Sequence, residues 1–385
     1  MPPNGASLGL SKLANGSQIA RSDIGAAWKA TCTLRCLRIV SASSAFPKNY
    51  YPQPVLVDAF RKHWGNKLER PEMLGWLHER VGVDGRYLAY PVETYENLRD
   101  FGQANDLWIA AALELAQQAI CRALNRAGLA REDLGALFFV SITGIASPSI
   151  DARLINCMGL SPNIRRVPIF GLGCVAGAAG ISLAADHVRA YPEQVAVLVA
   201  VELCSLTIQR DDLSVANLIS SGLFGDGAAA VIIAGAEREL PGPEIIGTRS
   251  VFYPNTEDVM GWGISEKGFK IVLSAGVPAM VRAHLVDDVD AFLGDFGLTR
   301  ADIGAWIIHT CGPRVLEATE ESLDLPEGAL NASWECLRET GNLSSASVLV
   351  VLEKFMREQR PAAGTWSVLA AMGPGFCSEL VLLRW

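Results

Sequence analysis

Charge is scarce in this chain. Asp, Glu, Lys and Arg make up 19% of 385 residues, and the balance is acidic, at a formal net charge of −8. That is the wrong sign for phosphate backbones or anionic lipid surfaces, so nucleic-acid and membrane-surface binding are excluded as main activities. A phosphate-bearing small molecule needs only a local basic patch. The nine cysteines, from Cys32 to Cys377, include no Cys-x-x-Cys pair. Neither a disulfide framework nor a cysteine-rich metal site is expected, and a reducing, cytoplasmic setting is. No uninterrupted apolar run reaches the roughly 18 residues of a membrane span. Residues 1–33, with Pro2, Pro3 and Asn15-Gly16-Ser17, carry no apolar stretch of the secretory kind and read as a loosely ordered leader. What is abundant is hydrophobic material, half of all residues, enough for a large core.

The chain also repeats itself. GLAREDLGALFFVS at 128–141 and GLTRADIGAWIIHT at 297–310 share six of fourteen residues. Two further pairs lie at nearly the same offset: GCVAGAAGISLAADHV from Gly173 with GNLSSASVLVVLEKF from Gly341, and QVAVLVAVE from Gln194 with TWSVLAAMG from Thr365. Each arm reads as an apolar strand, a small-residue helix and another apolar strand. The runs at Ala136–Val140, Val195–Val201, Trp306–Ile308 and Ser367–Ala370 suit strands buried on both faces. Helical length and spacing mark Leu107–Ala127, Val175–Ala190 and Ser344–Arg357. Strands alternating with helices predict an α/β fold of two duplicated halves, at 34–236 and 237–385, with the boundary near the turn-rich Glu239–Pro243.

Three residues stand out chemically. Cys174 follows Phe170-Gly171-Leu172-Gly173 and opens a helix whose first turns are Gly and Ala. Oriented N–H dipoles there favour thiolate and lower a thiol pKa from about 8.5; equally, most cysteines are small buried hydrophobes. His309, one of only five histidines, ends an apolar strand, where ligand-facing groups gather in α/β folds, although a lone histidine is more often structural. Asn342, in Gly341-Asn342-Leu343-Ser344-Ser345, is paired with Cys174 by the repeat; it suits a helix N-cap or an amide donor to a developing oxyanion.

Taken in order, Cys174 within GLGCVAGAAG, Phe224 in LFGDGAAAVI, His309 before a Gly-Pro pair, Asn342 in GNLSSAS and the terminal Gly373-Pro374-Gly375 resemble the type III polyketide synthases. The resemblance to this chalcone-synthase-like superfamily of the thiolase fold runs from about Arg38 to Trp385. It implies a five-layer αβαβα architecture and a homodimer. It also implies a Cys174–His309–Asn342 triad fed by coenzyme A thioesters as substrates, with no separate cofactor and no metal. Cys174 would carry the starter acyl group, His309 would stabilise its thiolate, and His309 with Asn342 would hold malonyl-CoA during decarboxylation. Phe224 would be the gate. In place of the family's His-Pro-Gly-Gly-Pro and Gly-Phe-Gly-Pro-Gly, this chain has His309-Thr310-Cys311-Gly312-Pro313 and Ala371-Met372-Gly373-Pro374-Gly375.

By the same resemblance Ser147, Cys204 and Ile271 are expected to line the cavity, and Arg61 and Lys62 to meet coenzyme A phosphates, although a charge pair of that kind is usually a solvated helix face. Segments Gly144–Arg153 and Gly268–Pro278 are similar to bacterial members that take long fatty acyl-CoA starters, so alkylpyrones or alkylresorcinols are the expected products. The nearest rival is a ketoacyl synthase of the same fold, resembling ketoacyl-ACP synthase III. A papain-type hydrolase fits poorly, because its nucleophile lies near the mature N-terminus. A non-catalytic relative that keeps the fold is disfavoured by the intact Cys174, His309 and Asn342.

Overall fold

The computed structural model describes residues 36–385; the expected leader lies outside them. The strands are β1 (Arg38–Ala45), β2 (Asn49–Pro52), β3 (Gly85–Leu88), β4 (Leu134–Val140), β5 (Arg165–Ile169), β6 (Val195–Leu203), β7 (Asp226–Ala234), β8 (Glu244–Phe252), β9 (Met260–Ser265), β10 (Gly268–Leu273), β11 (Ile303–Ile308), β12 (Trp366–Gly373) and β13 (Cys377–Arg384). The helices are α1 (Gln53–Trp64), α2 (Glu72–Glu79), α3 (Val92–Glu96), α4 (Phe101–Ala127), α5 (Ile150–Met158), α6 (Ala176–Ala190), α7 (Val215–Leu223), α8 (Val277–Gly294), α9 (Pro313–Leu323), α10 (Asn331–Thr340) and α11 (Ser347–Arg357).

Nine strands form one ladder in the order β11-β12-β13-β8-β1-β7-β6-β4-β5. The join between β1 and β8 is a single pair, Arg38 with Glu244, so the ladder is two sheets meeting at one point. Their pairings match. In one, β4 runs parallel to β6, β6 antiparallel to β7 and β7 antiparallel to β1; in the other, β11 is parallel to β12, β12 antiparallel to β13 and β13 antiparallel to β8. The repeat extends to the backbone ahead of β4 and β11. Gly128 and Gly297 have φ of 65° and 68°, and Asp133 and Asp302 each accept a hydrogen bond from the N–H three residues back, at 2.8 Å.

Alternation along the buried strands sorts their side chains into layers. Phe138, Leu198, Val231, Ile307 and Leu369 face a central pair of helices, α6 and α11. Leu137, Phe139, Val197 and Val199 face α4 and α5 on one outer side; Trp306, Ile308, Val368 and Leu382 face α8 and α9 on the other. The result is the expected five-layer αβαβα, thiolase-like arrangement. Helix α4 is long and apolar enough to cross a membrane by length and composition. It is a core helix: Trp108, Ala112, Leu115 and Ala119 are buried against the sheet, Asp100 caps its start, and Gly128 ends it in the left-handed conformation.

The four expected strands and the helix expected at Leu107–Ala127 are present with longer bounds, the helices expected at Val175–Ala190 and Ser344–Arg357 begin later, at Ala176 and Ser347, and one pairing shifts. A 3-10 turn, Gly173–Val175, precedes α6, and another, Ser344–Ala346, precedes α11. Element boundaries therefore match Gly173 with Ser344 and Cys174 with Ser345, three residues away from the pairing with Asn342 read from sequence. The extra residues are absorbed where Asn342 makes an isolated bridge to Phe224.

Candidate active site

Cys174 lies in a turn that only glycine permits. Gly173 has φ of +55°, and a Cβ on it would stand 2.6 Å from Pro374 Cγ; a Cβ on Gly373 would stand 2.9 Å from the Val175 nitrogen. The Gly373-Pro374-Gly375 loop from β12 thus lies directly on the Cys174 turn. Across from it, Cys174 Sγ donates to Ser344 Oγ at 3.7 Å.

Asn342 is fixed at both ends. Its N–H donates to Leu223 O at 2.9 Å, and its carbonyl accepts from Gly225 N at 3.0 Å, which ties it to both flanks of Phe224. Its Oδ1 accepts from Ser344 N at 2.7 Å, and its Nδ2 donates to Cys311 O at 3.1 Å. Asn342 is not the expected helix N-cap, which falls on Ala346; its Oδ1 instead braces the 3-10 turn at Ser344, and its amide nitrogen keeps a second hydrogen free to donate. His309 follows β11, with its N–H on Ala370 O and its carbonyl accepting from Cys311 N, both at 3.0 Å. Its ring is buried, and neither ring nitrogen has a hydrogen-bond partner.

A void of about 50 Å³ is bordered by Cys174, Cys204, Phe224, Ile271, Cys311 and Asn342, with Ser344 and Trp262 completing the wall. Sequence reasoning thus brought Cys174, Asn342, Phe224, Cys204 and Ile271 to one place. The His309 ring does not border that void; it is carried beside it, two residues before Cys311. Three expected residues lie outside both linings. Ser147 is exposed in the loop before α5 and borders neither this void nor the larger cavity described below. Arg61 and Lys62 are exposed on α1, where the helical period turns Leu56, Phe60 and Trp64 inward; Arg61 pairs with Asp58 at 3.3 Å, and both cations stay open to solvent, where a phosphate would meet them.

Burial decides the protonation states. The Cys174 thiol is pushed up to about 12 by desolvation, which outweighs its hydrogen bond with Ser344. Desolvation also holds His309 down at about 3. Both shifts favour the uncharged forms and work against the thiolate expected from a helix N-terminus. Their cause is geometric: Cys174 is buried in the 3-10 turn ahead of α6.

Two residues were missed. Glu202, buried at the end of β6, accepts hydrogen bonds from Thr143 Oγ1 (2.9 Å), Ile142 N (3.1 Å), Ser141 Oγ (3.3 Å) and Ser345 Oγ, and desolvation raises it to about 7. A lone carboxylate in the apolar run QVAVLVAVE was the available signal. Trp262 gave none, because the hairpin of β9 and β10 has no repeat counterpart.

Behind the void lies a cavity of about 700 Å³. Its floor is apolar, with Leu56, Phe60, Trp64, Leu206 and Ile208, and its rim carries Lys67, Arg99, Arg210 and Lys267 beside Glu96, Asp100, Asp211 and Glu266.

Comparison with known proteins bears on this arrangement over almost the whole chain. The family model for chalcone and stilbene synthases matches with its N-terminal domain at residues 34–237 and its C-terminal domain at 244–385. The 1,3,6,8-tetrahydroxynaphthalene synthase of Streptomyces peucetius subsp. caesius is 48% identical over 350 residues, covering 90% of this chain and 93% of that protein. The 3,5-dihydroxyphenylacetyl-CoA synthase of Streptomyces toyocaensis is 31% identical, with 90% of each chain covered. Among solved structures, the tetrahydroxynaphthalene synthase of Streptomyces coelicolor A3(2), a bacterial type III polyketide synthase, superposes with a TM-score of 0.86 at 32% identity, over 90% of this chain and 99% of that one. With both domains matched, the relatives spanning nearly their full length and the layers in the same order, this chain belongs to the chalcone and stilbene synthase family and is a condensing transferase of the type III polyketide synthase kind.

Proposed function

We propose that the protein builds an aromatic polyketide from malonyl-CoA, using a small starter unit, with Cys174 as nucleophile, His309 as base and hydrogen-bond donor, and Asn342 as the fixed amide donor. The observation that carries the reading is the size of the void at Cys174, about 50 Å³ and walled by Trp262, Met260 and Leu273. On this measure one water needs about 10–15 Å³, so the resting void suits a short acyl group and is small for an alkyl tail. The 48% identity to a tetrahydroxynaphthalene synthase supports the same product class.

The chemistry follows from the groups present. His309 is neutral at rest and accepts the Cys174 proton as the thiol attacks the starter thioester; coenzyme A leaves, and the acyl group stays on sulfur. In malonyl-CoA the bond to the carboxylate then breaks, and its electron pair moves onto the thioester oxygen as an enolate. The second N–H of Asn342 and a ring N–H of His309 stabilise that charge; one such preorganised donor is worth roughly 3 kcal/mol. The enolate carbon attacks the acyl-sulfur carbonyl and expels Cys174. The nucleophile must be a reduced thiol, which supports a cytoplasmic setting, and the exposed Ile145 and Phe170 support a homodimer.

A second reading, long fatty acyl-CoA starters leading to alkylpyrones or alkylresorcinols, draws support from the 700 Å³ cavity and its apolar floor. The two separate by mass spectrometry of products. Incubation with malonyl-CoA alone should give an aromatic product. If product forms only when a long acyl-CoA is added, the second reading replaces the first.

A further inference from the structure

The void at Cys174 and the 700 Å³ cavity are neighbours separated by two thin leaves. One is main chain: Cys204 borders the void and Ser205 borders the cavity. That leaf is rigid, since Ser205 N donates to Asp226 Oδ1 at 2.8 Å, its hydroxyl bonds the same carboxylate, and Tyr95 Oη lies 2.6 Å from its oxygen. The other leaf is made of side chains on one face of the β9–β10 hairpin. Trp262 pairs across the hairpin with Ile271, and both border the void. Phe269, two residues before Ile271 and so on the same face, borders the cavity.

Phe269 is 3% exposed, and its ring lies 6.0 Å from that of Trp262, 5.4 Å from Phe101 and 6.4 Å from Phe170. The strand carrying it cannot drift. Gln209 Nε2 donates to Lys267 O and Phe269 O, both at 3.1 Å, and Gly268 adopts φ of +94°, where a Cβ would meet the Phe101 ring at 2.7 Å. Trp262 on the void and Phe269 on a cavity more than ten times larger thus stand ring beside ring between the two spaces.

We infer that Phe269 is a specificity-determining partition: it keeps the 700 Å³ cavity out of reach of the acyl group on Cys174 and so restricts the enzyme to short starters. The inference rests on the condensing reaction proposed above and adds the residue that limits its starter. Chain length enters because each buried methylene contributes about 0.8 kcal/mol, so a tail admitted to the apolar floor gains steadily as it lengthens.

The test uses purified Phe269→Ala, Phe269→Leu and the double variant Phe269→Ala/Ala104→Phe, in which a ring placed on the cavity wall refills the space. Thermal unfolding and product formation from malonyl-CoA alone come first; if wild type forms no product from any substrate, the proposed function fails and the partition is not in question. Then kcat and KM are measured for octanoyl-CoA and dodecanoyl-CoA as starters. Phe269→Ala should raise kcat/KM for dodecanoyl-CoA at least about tenfold, chiefly through a lower KM. Phe269→Leu should stay near wild type, and the double variant should fall back. A folded, active Phe269→Ala with an unchanged starter range overturns the inference, and so does a gain that survives Ala104→Phe. Should Phe269→Ala fail to fold, Phe269→Val carries the same expectation at smaller amplitude, and no gain there also overturns it.

Discussion

The turns Gly173–Val175 and Ser344–Ala346 stand at matching places in the two arms of the repeat, each handing over to a buried central helix. Both enter at positive φ, and they manage it differently. Gly173, at 55°, needs no help, because it has no side chain to clash. Ser344, at 47°, does, and Asn342 supplies it by accepting the Ser344 N–H at 2.7 Å. In one arm a free turn leaves its sulfur to do chemistry. In the other, the reactive amide doubles as the brace. Duplicated scaffolds can thus put different chemical groups face to face without changing the backbone plan, which is how Cys174 and Asn342 come to border one void.

The comparison makes Cys174 irreplaceable and Asn342 graded. Cys174→Ala should abolish the acyl-enzyme seen by mass spectrometry and lower condensation by about 10⁴-fold or more; an undiminished adduct would remove Cys174 from its role. Reactivity of the free thiol comes next. With Cys174 pushed up to about 12, the thiolate fraction grows with pH all through the working range. Its alkylation by iodoacetamide should rise roughly tenfold per unit from about pH 7 to about pH 10, with no plateau. A plateau near neutrality would instead reveal an ion pair with His309.

Asn342→Ala removes donor and brace together and should cost about 10²-fold to 10³-fold in kcat. Asn342→Asp keeps an acceptor for the Ser344 N–H and loses the donor, so it should hold stability while activity stays low; equal stability loss in both would show the brace to be unimportant. Gly173→Ala probes the unbraced turn, where positive φ and the approach of Pro374 both penalise a Cβ. A loss of about 1–3 kcal/mol in urea unfolding is expected, and a neutral result would mean that the Gly373-Pro374-Gly375 loop can retreat.

Much of this was legible in the chain. Buried strands announce themselves as short apolar runs, and the duplicated Gly-Leu-x-Arg-x-Asp segment marks the same local hydrogen bond twice. Cys174 and Asn342 stood out because small residues and glycines crowd them, and Phe224 only through the family resemblance. Exposure, by contrast, is not local. For Arg61, Lys62 and Ser147, which face of α1 turns inward and where the loop before α5 points depend on what packs beside them. The three-residue slip in pairing Cys174 with Asn342 has the same origin, since a bridge to Phe224 can take up extra residues that an alignment of two strings must close.

By itself, then, the amino-acid sequence determined the order of strands and helices and the duplication, because periodicity is carried by near neighbours, while Cys174, His309 and Asn342 were singled out as a set by resemblance to a family. Only the tertiary structure decided that desolvation raises the thiol and lowers the imidazole, that Glu202 is buried under four donors, and that Trp262 and Phe269 stand between the void and the larger cavity. Desolvation and the meeting of distant side chains are set by the packing of segments far apart in the chain, and no local pattern records them.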